Sequence, residues 1–366
     1  MNKLLAIPTF GLYRFWGKTH LRRLLWQSLR IDEDRLTYHG TAKELFIGFL
    51  IVMVILIVVF GAIGTFLQFL VMAGPATAVI SQALNAILLL SFWQFARYRL
   101  WRYRLSRTSY RTIRFYQMGS AITYTLISLG WGLLAVVTLG WMYPKMRYEL
   151  TKYRVNNMAF GDQNFQFEGH ARDFFRIYWP PILAFNAYLI IPLIISAVDG
   201  FLFDILNTGS PSKASEPAII ATVIVAMGLI LVTGAFWIVA RVKEFNYTTT
   251  QTRFAGANFT ADLPVSRVFK VGFIAALIAI LVYGLAFGLL LTGVEALVGF
   301  GFLFLIIGFL MVDILVFMIF YIPLVRILCL HLYTDNLSVF KDVATASHDS
   351  PKYGEGLADA LDVGAF

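Results

Sequence analysis

The chain reads as an all-α polytopic membrane protein with six transmembrane helices, one re-entrant hairpin and repeated basic interfacial helices. Three observations predict this class. Apolar residues fill 59% of the 366 positions and charged residues only 14%, against about 25% charged in soluble domains. Twenty-nine of the thirty Lys and Arg fall in five segments (1–44, 97–114, 145–176, 241–270 and 326–352), separated by charge-free runs such as Leu45–Ala96 and Phe115–Pro144. Cationic loops resist translocation, so the five segments belong on the cytoplasmic side. Third, an internal repeat keeps its cations in every copy, which gives all copies one orientation.

Taken in order, residues 1–44 form a cytoplasmic basic module and 45–96 a transmembrane hairpin. Those 52 residues suffice for two helices of about 20 residues each, with Gly74-Pro75 as the turn between them. Basic modules over 97–176 flank the apolar segment 115–144. A single crossing there puts Lys145, Arg147, Lys152 and Arg154 outside, against the charge rule. A re-entrant hairpin returns them to the cytoplasm, with breaks expected at Ser128–Gly132 and at Gly140 and Pro144, and a seventh crossing is the alternative. Two helices follow over 177–240, then a cytoplasmic loop over 241–270. Two more span 271–325, interrupted by Asp313, before a cytoplasmic tail over 326–366. Both termini are expected in the cytoplasm. Met1–Pro8 is too short for a signal peptide and is soon followed by Arg14, Lys18, Arg22 and Arg23.

The repeat aligns without gaps at an offset of 129, where six of 38 positions are identical. Thr9-Phe-Gly11 matches Thr138-Leu-Gly140, and Gly40-Thr-Ala42-Lys-Glu-Leu-Phe46 matches Gly169-His-Ala171-Arg-Asp-Phe-Phe175. A weaker copy offset by 79 includes Arg97, Arg102, Phe115, Gly119 and Ala121. The unit reads as an apolar turn, a basic helix, a short aromatic strand or loop, then Gly-x-Ala leading into a span. On a helix of 3.6 residues per turn, Arg97, Arg104, Arg107, Arg111 and Arg114 fall within roughly 100° of arc, near Trp93, Trp101 and Tyr103. That pattern suits headgroup contact, with rings at the interface and arginine stems snorkelling. Arg22, Arg23, Arg147 and Lys152 of the other copies are candidates for the same role.

Thr9-Phe-Gly-Leu-Tyr-Arg-Phe-Trp16, Lys18-Thr, Arg22-Arg23, Tyr38-His-Gly40 and Glu44-Leu-Phe46 resemble the repeated motif of the bacterial YjgN-like proteins. The tail Gly354-Glu-Gly-Leu-Ala-Asp-Ala-Leu-Asp-Val-Gly364 resembles theirs too. The resemblance implies an inner-membrane location and this architecture. It carries no catalytic residue, because that family's function is unknown.

The search for chemistry yields little. The five histidines show no metal-ligand spacing, the single Cys329 excludes an internal disulfide, and no phosphate-binding glycine loop precedes a lysine. No catalytic constellation, metal or cofactor is therefore expected. Asp313 is an acid inside an apolar run, where burial costs at least about 2.5–3.5 kcal/mol unless protein or water receives it. Asn85 and Asn186, with Gln82, are its candidate polar neighbours, and Pro180, Pro181 and Pro192 are expected to interrupt the helix of Asn186. The cations adjoin apolar runs, so anionic phospholipid is the expected partner rather than nucleic acid. A membrane protein or a second copy of the chain is the other expected partner. A non-enzymatic scaffold or accessory protein of the bacterial inner membrane is the first functional expectation. The alternatives are a transporter or channel using Asp313, and then a membrane-embedded enzyme.

Overall fold

The computed structural model describes residues 14–28, 30–31, 34–72, 74–198, 216–291 and 317–345. α1 (Arg14–Ser28) leads into β1 (Arg30–Ile31) and β2 (Asp34–Tyr38). α2 (Ala42–Met72) and α3 (Pro75–Ser106) follow, turning at Gly74, and then β3 (Thr108–Tyr110) and β4 (Ile113–Gln117). α4 (Ala121–Val137) and α5 (Tyr143–Asn156) precede β5 (Met158–Phe160) and β6 (Gln163–Phe167). α6 (Ala171–Val198) and α7 (Glu216–Thr250) precede β7 (Thr252–Phe254) and β8 (Ala257–Ala261). α8 (Val265–Leu291), α9 (Ile322–Leu330), β9 (Leu332–Asp335) and a 3₁₀ turn (Leu337–Lys341) complete the described chain.

The all-α expectation is overturned. Nine strands pair antiparallel in chain order, β1 through β9, as one meander. Each strand has only two to five residues, too few for an alternating pattern to stand out beside long apolar runs. The number of spans is corrected as well. Among the described residues four helices are long and apolar enough to cross a membrane, not six: Pro75–Ser106, Ala171–Ile195, Ile220–Thr250 and Val265–Leu285. In α2 the described apolar stretch is the shorter Ile57–Met72, and most of the expected last span, with Asp313, lies outside the described residues.

Strand pairing explains how the helices are arranged. β3–β4, β5–β6 and β7–β8 are direct hairpins. At the alternate pairings, β2–β3, β4–β5, β6–β7 and β8–β9, a helical excursion intervenes before the chain returns to the neighbouring strand. Segment 115–144 is one such excursion. It leaves β4, makes α4 and α5, and returns to β5, which pairs with β4 from Phe115↔Phe160 to Gln117↔Met158. α4 runs unbroken through Gly130 and Gly132, so the expected break there is absent; the chain reverses at Thr138–Met142, with Leu139 at φ 50° and Gly140 at φ 94°. α6 is likewise continuous through Pro180, Pro181 and Pro192.

The corners at Gly40 and Gly169 share a local physical basis. A Cβ on Gly40 would lie 2.5 Å from the Tyr38 ring, and one on Gly169 would lie 2.4 Å from the Phe167 ring. The aromatic two residues earlier folds over the glycine, which lets strand and helix meet at a tight corner. A tyrosine three residues before the end of the returning helix latches this corner. The Tyr153 hydroxyl takes the Ser120 N–H at 2.8 Å and donates to the Ser120 carbonyl at 3.1 Å. Tyr247 takes the His170 N–H at 2.8 Å and donates to Asp173 at 2.7 Å, while Tyr103 donates to Glu44 at 3.2 Å. Aromatic rings fill the core of the sheet: Phe165 stands 4.5 Å from Phe254, Phe115 4.6 Å from Phe160, and Phe340 of the 3₁₀ turn 4.9 Å from Phe254. The same segment bonds the β5–β6 turn, where Asp162 and Ala344 exchange hydrogen bonds of 3.2 and 3.1 Å.

Gly169→Ala is expected to destabilise the protein by about 1–3 kcal/mol through overpacking against Phe167, read as a lower unfolding midpoint in detergent. Thr112 is a β-branched residue at φ 72° in the β3–β4 turn. Thr112→Gly removes that strain and should stabilise by about 1 kcal/mol; an unchanged or lower midpoint would contradict the strain.

Candidate functional site: the cationic ends of the helices

Because every described excursion starts and ends at the sheet, the cationic segments converge there. Lys43, Arg172 and Arg267 stand exposed in the first turn of α2, α6 and α8, Lys152 near the end of α5, and Lys243 in the last two turns of α7. The expected arginine stripe is divided rather than continuous. α3 ends at Ser106, so Arg97 and Arg104 are helical, Arg107 is the C-cap, Arg111 sits in the hairpin turn at φ 50°, and Arg114 is exposed on β4. The helical projection had run past the end of the helix. Arg104 is buried, Arg107 pairs with Glu44 at 3.1 Å, and Arg111 pairs with Asp34. Arg23 donates to the Gly40 carbonyl at 3.1 Å, beside a half-buried Arg22, and exposed Lys152 lies 5.8 Å from the Tyr148 ring centroid.

Arg147 lies inside the protein rather than on its surface. It is 7% exposed and donates through Nε (3.0 Å) and Nη2 (2.6 Å) to Oε1 of Glu244, itself 4% exposed. Oε2 of Glu244 accepts from the Tyr178 hydroxyl and from Arg241 Nη1 at 2.8 Å. Four donors therefore saturate the carboxylate, joining α5, α6 and α7. Burial alone lowers the Arg147 pKa, but Glu244, with Tyr143 and Tyr178, outweighs it and holds the guanidinium above its ordinary value. Glu244 was hidden in the sequence because Arg241 and Lys243 beside it read as a solvated surface cluster.

A second arrangement joins α3, α4 and α5. The guanidinium carbons of Arg97 and Arg154 lie 4.9 and 4.4 Å from the Trp101 ring centroid. Trp101 meets Tyr124 edge-on at 6.0 Å, and Tyr124 packs on Tyr98 at 5.0 Å and Tyr153 at 6.2 Å. Burial pushes the Arg154 pKa down to about 10, aided by Arg147 and Arg97 and opposed by Tyr124 and Glu244; the side chain stays charged at neutral pH.

Of the polar residues expected inside the spans, Asp313 lies outside the described residues, and the others occupy two places. Asn186 is buried and donates to the Leu139 carbonyl at 3.0 Å and the Ile182 carbonyl at 2.8 Å, which ties the α4–α5 turn to α6. Asn85 and Gln82 line a cavity of about 290 Å³ between α2 and α3, with Gln68 and Ser81. Among the described residues no group of three His, Cys, Asp or Glu is placed to hold a metal ion.

A family model described as a bacterial protein of unknown function (DUF898) matches residues 1–360. The chain belongs to that family. The match agrees with the resemblance of its motifs to the uncharacterised YjgN-like proteins. No curated protein and no solved structure matches significantly. For this DUF898 chain, the sheet, the four apolar helices and the helix-end cations are thus the grounds for a functional reading, and the apolar helices are compatible with a membrane protein.

Glu244→Gln should cost about 3–5 kcal/mol, because it leaves Arg147 buried and uncompensated. Replacing both by Leu should recover much of that loss. Comparison of unfolding midpoints checks this, and a double variant no more stable than the single one would refute the charge argument.

Proposed function

We propose that this protein is a non-enzymatic scaffold or accessory protein of the bacterial inner membrane, with the sheet and both termini in the cytoplasm. It engages anionic phospholipid, and through the same face a membrane protein or a second copy of itself. The observation that carries this reading is the gathering of exposed cations, Lys43, Lys152, Arg172, Lys243, Arg267 and Lys270, at helix ends next to one sheet. They come from separate segments of the sequence, yet the meander brings them to one side of the apolar helices. Cations beside a bilayer with anionic lipids each gain about 1 kcal/mol, and the positive-inside rule puts such ends in the cytoplasm. Exposed Trp93 and Trp179 lie within the flanking spans, where indoles favour the interface.

The combined variant Lys43→Gln, Lys152→Gln, Arg172→Gln and Lys243→Gln tests the reading. In mixed nanodiscs of phosphatidylglycerol and phosphatidylcholine, the unaltered protein should enrich the anionic lipid around itself. Each lost cation should lower that preference roughly fivefold, and added salt should shrink the difference, since screening acts within about 8 Å. Equal association with both lipids by the unaltered protein would remove the reading.

A further inference from the structure

Unlike Arg147, which Glu244 neutralises, the arginines on Trp101 have no acidic counterpart among the described residues. The side chains of Arg97 and Arg154 make no hydrogen bond or ion pair among the described residues; both guanidinium groups lie on the Trp101 ring. Glu244, the acid that Arg154 senses, already accepts from four donors. Both side chains are only partly buried, so their N–H donors stay within reach of a ligand. The platform beneath them is rigid, because Trp101 is braced by Tyr124, which Tyr98 and Tyr153 hold in turn. Trp101 lies about 8 Å along α3 from Ser106, between the sheet and the apolar part of the helix. That is headgroup depth for a span whose sheet-side end faces water.

We infer that Arg97 and Arg154, mounted on Trp101, form a binding site for the phosphate group of a phospholipid headgroup or of a soluble phosphate. Guanidinium forks match phosphate oxygens in a bidentate way. A bound oxyanion supplies a counter-charge that the described residues do not, and two guanidinium carbons 4.9 and 4.4 Å from one ring centroid suit a group with more than one anionic oxygen. The site rests on the lipid-engaging reading only for a headgroup source. It differs from the exposed cations in being a single defined position, while they act as a diffuse surface.

The test uses the full chain in an uncharged detergent. Native mass spectrometry reads bound phosphatidylglycerol, and calorimetric titration reads inorganic phosphate. Arg97→Gln with Arg154→Gln should weaken whichever ligand the protein binds by roughly tenfold or more. Arg154→Lys keeps the charge but loses the fork, so an intermediate loss is expected. Elution volume and unfolding midpoint check that each variant is folded. Loss of one tightly held lipid identifies a headgroup site, and loss of phosphate binding identifies a soluble ligand. The variant lacking the four exposed cations should retain this single site. If it loses all lipid while the folded Arg97/Arg154 variant binds normally, the scaffold reading survives and the site does not. Binding of neither ligand by the unaltered protein also overturns the site.

Discussion

Each helical excursion is bounded by two strands that bond to one another, so its ends are held about 4.8 Å apart by the backbone ladder. Antiparallel pairing also fixes direction: a chain leaving one strand's end returns at the adjacent start of the next. Buried backbone groups must be paired, and the meander pairs them while anchoring both feet of every excursion. The charge segregation follows from this geometry. Exposed cations stand at helix ends near the sheet, and the long apolar helices run away from it, so charge and apolarity alternate along the sequence.

The helices contribute little to a conventional core. Only 6% of the apolar window of α3 is buried, 6% of that of α7 and 28% of that of α6. Large apolar side chains such as Val58, Phe69, Ile224 and Leu231 are more than 60% exposed. Contiguous apolar surface on this scale calls for a covering phase, and a bilayer supplies one. Packing is concentrated instead near the sheet, where Phe160, Phe174, Tyr178 and Phe254 are fully enclosed. The Glu244 quartet sits beside that aromatic mass and joins α5 to α6 and α7. Its saturation matters more than its mean strength, because a carboxylate left there with an open lone pair would lose its solvation without replacement.

Much of the helical framework was legible from the sequence, because apolar runs and cationic segments report solvent contact residue by residue. The turn at Gly74 and the corner glycines Gly40 and Gly169 were visible for the same local reason. The sheet was hidden by non-local pairing: β2 pairs with β3 and β6 with β7 across long excursions, so no short window contains both partners. Thr108-Ser109-Tyr110 looked like the end of a helix because arginines continue on both sides of it. Arg147 was misread for a related reason. Its acid lies on α7, 97 residues away, and sequence spacing shows a charge without showing its partner. Asn186 was read as a candidate polar neighbour of Asp313, while its amide donates to the carbonyl of Leu139 in another element.

The strict strand order has a consequence for biogenesis. A sheet that adds strands in the order they are synthesised grows at one edge, and every new hairpin finds a completed template already waiting. The ribosome delivers an excursion, and the next hairpin zips onto the last before another begins. No strand must wait for a distant partner at the far end of the chain, which keeps open edges brief and limits mispairing. The segment carrying Phe340 follows all nine strands of the described residues, and its ring enters the hollow among Tyr110, Phe160 and Phe254. Docking of Phe340 after the ninth strand therefore closes the aromatic core, and a nascent protein cut short before Phe340 leaves that hollow open to proteolytic surveillance.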